Sequence, residues 1–128
     1  RYVRALSEYI ADRRVTIEVC LTSNLQTNPR IKSIGSHAFR KMRQGHLSTT
    51  FCTDNRLVSN TTVTNELYLA ANTFKFEQRE LKDIIIYGFK RSFFPGSYSD
   101  KRDYVRGVID HFERVEKEFY GSIDPKQQ

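Results

Sequence analysis

Apolar residues recur at helical spacing through the first segment, where Tyr2, Leu6, Tyr9 and Ile10 are separated by polar positions. That period predicts an amphipathic helix over Tyr2 to Asp12, closed by Arg13 and Arg14, cations suited to the negative end of a helix. The period then changes to two. Val15-Thr16-Ile17-Glu18-Val19-Cys20-Leu21 alternates strictly and is rich in β-branched residues, which predicts a strand. Thr22 to Gly35, with Asn28-Pro29, reads as a loop. Ser36 is placed to cap a short helix through Gln44, with Phe39 and Met42 facing inward and Gly45 ending it. Leu47 to Thr53 predicts a second strand, and Asp54 to Thr62 a loop. Helices follow near Val63 to Asn72 and Glu77 to Phe93, the latter carrying Leu81, Ile84, Ile85 and Phe89 until Pro95-Gly96 breaks it. Ser99 or Asp100 opens a final helix to Tyr120, with Tyr104, Val108, Phe112, Val115 and Phe119 on one face. Gly121 to Gln128 reads as a frayed tail, and the sequence holds no internal repeat.

A strand, a connection of some 25 residues and a second strand imply a right-handed parallel crossover. Two strands alone do not make a viable parallel sheet, so the pattern describes one end of a larger α/β domain. Each strand has one apolar or helix-facing side and one side of small or polar residues. Val15, Ile17, Val19 and Leu21 oppose Thr16, Glu18 and Cys20; Leu47, Thr49, Phe51 and Thr53 oppose Ser48, Thr50, Cys52 and Asp54. An open sheet covered on both faces would make both sides apolar, whereas a closed barrel fills its interior with small side chains in layers. The expected fold class is therefore α/β, the C-terminal part of a TIM (β/α)8 barrel, with the last two parallel strands and the helices after them. Residues 1–128 are expected to form one portion of a single barrel domain. Asp54 ends the polar side of the second strand, where barrel active sites stand, and is the candidate catalytic carboxylate or metal ligand. The plainer reading of Asp54-Asn55 is turn chemistry. Cys20 and Cys52 read as small core residues, and Glu18 as a structural group that needs a partner.

Composition narrows this further. A chain of 128 residues and 15.0 kDa is half the length of a complete barrel of about 250 residues. No run of about 18 apolar residues is present, so no membrane span is expected. Two cysteines are too few for a disulfide scaffold or a four-thiolate zinc site. No signal-peptide pattern opens the chain, and a start at Arg1 reads as part of a longer, cytoplasmic protein. The formal charge of +6 raises the prior for phosphate-bearing partners. The cations nevertheless fall in short clusters, Arg13-Arg14, Arg40-Lys41-Arg43, Lys90-Arg91 and Lys101-Arg102, at helix ends or on polar faces, so a nucleic-acid partner is disfavoured.

Two segments carry a family resemblance. Glu18-Val19-Cys20-Leu21-Thr22-Ser23-Asn24, followed by Cys52-Thr53-Asp54-Asn55, resembles the E-[IV]-C-P-x-S-N and [NC]-T-D-D strands of the adenosine deaminase family of zinc-dependent aminohydrolases. His37-Ala38-Phe39-Arg40 through Gly45 resembles the family's intervening helical segment, and Thr61 to Phe93, with Glu66-Leu67-Tyr68-Leu69-Ala70, has its later helical character. The resemblance implies hydrolytic deamination at C6 of adenosine, or of a closely related 6-aminopurine nucleoside or nucleotide, to inosine and ammonia, with a Zn2+ ion lowering the pKa of a water. It assigns Asp54 as carboxylate zinc ligand and catalytic group, and Asn55 as the residue that hydrogen-bonds the purine.

The departures matter as much. Asn55 stands where a second Asp is usual, Leu21 where Pro is usual, and Arg56 follows where Pro is common. Leu21 with Cys52 is more similar to the adenosine-deaminase-like branch that acts on N6-methylated AMP. Arg56 could then meet a phosphate, against the favoured reading of a solvated loop charge. The family's His-x-His, His-Ala-Gly-Glu and Gly-His-Gly segments are missing, and His37, His46 and His111 do not substitute for them. The remaining zinc ligands are therefore expected upstream, in a missing N-terminal half of the barrel that acts as this chain's partner, and the chain alone is expected to be inactive. Two other functions stay open: a catalytically inactive family member acting as a binding protein, and, more remotely, a basic nucleic-acid-binding module.

Overall fold

A computed structural model describes residues 2–121, which cluster into two compact units that divide between Arg91 and Ser92. The first unit opens with helix α1 (Tyr2–Asp12), strand β1 (Thr16–Val19) and helix α2 (Leu21–Thr27). A single 3-10 turn (Ile34–Ser36), helix α3 (Phe39–Gln44) and strand β2 (Ser48–Phe51) come next. Helices α4 (Arg56–Ser59), α5 (Val63–Phe74) and α6 (Gln78–Arg91) complete it. β1 and β2 pair in parallel, Thr16 opposite Ser48 through Val19 opposite Phe51, as the crossover requires.

The elements match their expected order, and the differences lie where capping chemistry was misread. The segment expected to be a loop from Thr22 holds α2 and the 3-10 turn. Ser36 does not cap α3: it exchanges hydrogen bonds with Ser33 across the 3-10 turn, and Ala38 takes the cap position of α3. His37 therefore precedes α3 instead of lying inside it. Gly45 does end α3, yet with φ −81°; His46 is the residue with positive φ, 55°. The expected loop after Asp54 contains α4, because Asn55 accepts from the Leu57 and Val58 N–H groups and caps it.

The buried cluster is Val19, Leu21, Phe39, Phe51, Ala70, Phe74 and Ile84. Phe39, 1% exposed, is its hub, with ring centroids 4.9 Å from Phe51, 4.8 Å from Phe74 and 5.5 Å from Phe76. Truncating such a residue to Ala costs about 3–5 kcal/mol. The alternation read from the strands holds: Val19, Thr49, Phe51 and Thr53 are buried, whereas Cys20 and Cys52 are only half-buried and Glu18 is exposed. The core thus lies on one side of the two strands, and the chemistry-bearing face lies on the other. α6 packs along β2 so closely that a Cβ on Gly88 would stand 2.6 Å from Thr50 Oγ1. α1 is helical as expected but buries no residue, because periodicity predicts a helix without saying what covers it.

The second unit is built on helix α7 (Tyr98–Gly121). It starts one or two residues earlier than expected, since Ser97 and Asp100 exchange hydrogen bonds as a capping pair. These bonds hold the exposed Asp100 carboxyl below its ordinary value. The Phe94 ring packs against Tyr104 in a tilted pair with centroids 5.4 Å apart, and Lys101 Nζ donates to the Ser92 carbonyl at 2.6 Å. Of the face expected to be apolar, Tyr104, Val115 and Phe119 are exposed, and Val105 is the buried residue of the helix. Gly121 belongs to α7; the rest of the expected tail lies outside the described residues. No helix among the described residues is long and apolar enough to cross a membrane.

Candidate active site at the strand ends

The C-terminal ends of β1 and β2 bring the two sequence motifs together. At the end of β1 the chain turns into α2 with Cys20 at the cap position and no side-chain cap of its own. Glu66, from α5, supplies the missing acceptor. Its carboxylate accepts from the Thr22 N–H at 3.1 Å, from the Thr22 hydroxyl, and from the Thr61 hydroxyl at 2.8 Å. Glu66 is fully buried. A carboxylate there would cost several kcal/mol without partners. Three donors offset that cost, and a negative group at the first turn of α2 also complements the helix dipole.

The next two residues are held just as specifically. Ser23 Oγ donates to Asp54 Oδ2 at 2.9 Å, joining the start of α2 to the segment after β2. Asn24 Oδ1 stands 3.0 Å from His37 Nε2, and His37 Nδ1 is 3.1 Å from the Phe39 N–H. The backbone donor makes Nδ1 the acceptor, so Nε2 carries the proton and donates to Asn24. Burial of the ring lowers its pKa from the ordinary histidine value, consistent with a neutral imidazole. Thr22, Ser23 and Asn24 are thus fastened to α5, to the end of β2 and to the segment before α3 respectively.

Asp54 is exposed and has φ 54°, in the left-handed region, which Asp tolerates better than most residues. Ser23 occupies Oδ2; among the described residues Oδ1 has no hydrogen-bond partner. Asn55 is also exposed, with Oδ1 committed to α4. Arg56 opens α4 beside it, exposed. Two further groups lie just below Asp54. Cys20 and Cys52 are both free thiols, with sulfurs 3.5 Å apart. Burial raises both pKa values, and that of Cys52 is pushed up to about 12, with the neighbouring Cys20 and Glu18 adding to the effect.

The donor set can be tested against the zinc ion implied by the sequence. Among the described residues no group of three or more His, Cys, Asp and Glu side chains could hold a metal. Asp54 fits as a contributor of one carboxylate oxygen, and the chain by itself falls short of the three protein ligands of a catalytic zinc site. His46 stands at the opposite end of β2, and His111 is exposed on α7 beside Arg114. Sequence reasoning missed Glu66, Ser23 and the His37–Asn24 pair as site-building residues. Glu66 sits in the first turn of α5, where an acidic residue reads as routine dipole chemistry, so its burial gave no signal.

A cleft of about 890 Å³ opens at the other end of the strands, lined by Arg14, Arg43, His46, Lys90 and Arg91 with Glu80. Arg14 follows the C-terminus of α1, and Arg43, Lys90 and Arg91 occupy the last turns of α3 and α6. Their charge is therefore matched to the negative ends of three helices, and Arg43 also pairs with Glu80 at 3.4 Å.

Comparison with known proteins places the chain in a family. The adenosine deaminase family model matches residues 2–111. A probable adenosine deaminase of Dictyostelium discoideum is 31% identical over 123 residues, 94% of this chain and 16% of that relative. The adenosine deaminase of Mycobacteroides abscessus is 34% identical over 90 residues, 70% of this chain and 25% of its own length. This chain thus spans a quarter or less of these two relatives. Among solved structures, the apo N6-methyl-AMP deaminase of Arabidopsis thaliana matches with TM-score 0.68 and 26% identity, over 80% of this chain and 29% of that one. An adenine deaminase from Arthrobacter aurescens shares the fold, with TM-score 0.72 at 16% identity over 85% of this chain and 32% of its own. The architecture is that of the C-terminal portion of a TIM barrel, α/β with two parallel strands and the helices that follow. With two strand-end segments that meet in space and a family model that matches residues 2–111, this chain is a member of the adenosine deaminase family.

Proposed function

We propose that this chain supplies the C-terminal part of the active site of a hydrolytic deaminase that acts on a 6-aminopurine nucleoside or nucleotide and releases ammonia. The observation that carries this reading is Asp54, an exposed carboxylate just past the end of β2, oriented by Ser23 from the end of β1. Zinc, bound with ligands from the rest of the barrel, would supply Lewis-acid activation of water. Asp54 would contribute one ligand through the oxygen that Ser23 leaves free. Asn55 has Oδ1 engaged by α4 and keeps its amide N–H groups, so it would donate to a ring acceptor such as N7 of a purine.

A nucleotide is the favoured form of the substrate. The likeness to an N6-methyl-AMP deaminase supports it, as does the combination of Leu21 with Cys52. Arg56, exposed next to Asn55, is the cation available to a phosphate. The competing reading is a family member that binds a purine without turning it over, and the commitment of Asn55 to capping α4 is what favours it. The test is release of ammonia from adenosine and AMP, and of methylamine from N6-methyl-AMP, by this chain joined to the rest of its barrel, against the Asp54→Ala variant. Turnover of any of these that is lost in the variant supports the proposal. No turnover of all three, or turnover that survives Asp54→Ala, overturns it.

A further inference from the structure

Cys20 and Cys52 are the only cysteines of the chain, and they meet. They sit one residue beyond Val19 and Phe51, the last paired positions of β1 and β2, on the face opposite the buried cluster. The Cys52 N–H donates to the Val19 carbonyl at 3.1 Å, so strand pairing holds the two positions side by side. Their sulfurs are 3.5 Å apart, although 32 positions separate them in sequence. Neither is fully buried. A disulfide bond is about 2.05 Å long, so bonding them requires an approach of roughly 1.5 Å between two side chains, with no rearrangement of the strand order. Adjacent strands also lie about 4.8 Å apart, within the range of Cα separations that disulfides span.

We infer that Cys20 and Cys52 are a redox modification site: a dithiol that a small-molecule disulfide oxidises in place to a bond bridging β1 and β2. The chemistry is two successive exchanges. The sulfur of one cysteine attacks a sulfur of the small disulfide, forming a mixed disulfide and releasing one small thiol, which takes up the cysteine's proton. The second cysteine then attacks the protein-side sulfur of that mixed disulfide, forming the Cys20–Cys52 bond and releasing the second small thiol. Two electrons pass from the protein to the small disulfide, and no other oxidant is needed. The second step is favoured at equilibrium where the two sulfurs are already neighbours. In an unfolded chain, closing a loop of this length leaves the partner thiol dilute, whereas the folded strands hold it within van der Waals contact. The inference is independent of the proposed deaminase activity, because its readout is the thiols themselves.

The test is equilibration of the chain in buffers of oxidised and reduced glutathione, under native conditions and in guanidinium chloride, followed by acid quench and mass spectrometry with peptide mapping. The expected result is a chain lighter by two hydrogens, with both thiols lost and Cys20 mapped to Cys52. Its equilibrium constant for bridging over mixed disulfide should be about 100-fold higher in native buffer than in denaturant. Three outcomes would overturn the inference: glutathione adducts in place of the bridge, disulfide-linked dimers, or the same bridging constant in native buffer and in denaturant.

Discussion

Ser23 and Asp54 join the ends of neighbouring strands through one hydrogen bond of 2.9 Å, from a buried hydroxyl to an exposed carboxylate. Ser23 fixes one oxygen of Asp54 and so sets which oxygen faces outward. On the proposed function, Ser23→Ala in the complete barrel should therefore lower kcat/KM about tenfold, chiefly through kcat, because misdirecting Asp54 would damage the transition state more than substrate binding. Asp54→Asn should be far worse, by about 1,000-fold or more. Steady-state kinetics of both variants decides this; a Ser23→Ala enzyme with unchanged kcat would show that Asp54 needs no orientation from β1.

Glu66 holds the same loop from behind. Replacing its carboxylate by an amide turns one of its two acceptor oxygens into a donor, set against either the Thr22 N–H or the Thr22 and Thr61 hydroxyls. Glu66→Gln should cost about 2 kcal/mol, and Glu66→Leu, which leaves the donors unpaired, about 3 kcal/mol or more. Urea unfolding monitored by circular dichroism measures both. A midpoint unchanged in Glu66→Gln would mean that the amide finds equivalent bonds and that charge at the start of α2 is unimportant.

The contrast between Asp54 and Glu66 shows what was legible in the residues alone. Alternation in Val15 to Leu21 and Leu47 to Thr53 identified both strands and which side faces the core, since a period of two is a direct consequence of backbone geometry. It also put Asp54 at the end of the second strand; in the structure β2 ends at Phe51 and Asp54 follows three residues later with φ 54°. Sequence spacing could not reveal that Glu66 crosses to cap α2, because the two are 44 positions apart from Thr22 to Glu66. The same holds for the 32 positions between the two cysteines. α2 and α4 were missed for a different reason: both are one- or two-turn helices whose ends depend on a partner or on Asn55, and so carry little periodicity of their own. Family membership was legible because it needs only short motifs in order, whereas the tertiary ties around them do not repeat at any fixed spacing.

Asp54 as the one carboxylate proposed to bind metal also limits the chain by itself. Purified alone and incubated with zinc, it should bind no stoichiometric ion at Asp54 and release no ammonia from adenosine, since a catalytic zinc needs about three protein ligands. Metal analysis after gel filtration, together with an ammonia assay, checks both. One tightly held zinc that is lost in Asp54→Ala, accompanied by turnover, would refute this expectation.

His37 should make stability depend on pH in one direction. Its folded pKa lies below the ordinary value because burial disfavours the imidazolium, and Nδ1 must accept from the Phe39 N–H. In the interval between the folded and unfolded values the unfolded chain binds the extra proton. Stability from this group is therefore complete above the ordinary histidine value of about 6.5 and is lost as pH falls below it. Urea midpoints at a series of pH values between 7.5 and 5 should fall with pH in the native sequence, and His37→Asn should flatten that slope. An identical slope in the variant would assign the acid sensitivity to other groups.

Gly88 and Thr50 provide a test of packing that is independent of the chemistry. Glycine inside α6 is disfavoured by about 1 kcal/mol relative to alanine, so on propensity alone Gly88→Ala should stabilise. The contact opposes this: the new Cβ would lie 2.6 Å from Thr50 Oγ1, though at an ordinary 3.5 Å from Thr50 Cβ. Either the hydroxyl must rotate or α6 must move off β2, at a cost of about 1–3 kcal/mol, so the net effect of Gly88→Ala is destabilising by about 1 kcal/mol. Thr50→Ala removes the offending oxygen and little else. In the double variant the clash is gone and the propensity gain remains, so the two substitutions should couple favourably by about 1 kcal/mol or more in a double-mutant cycle. Additive behaviour, with no coupling, would mean that α6 and β2 do not approach this closely at Gly88.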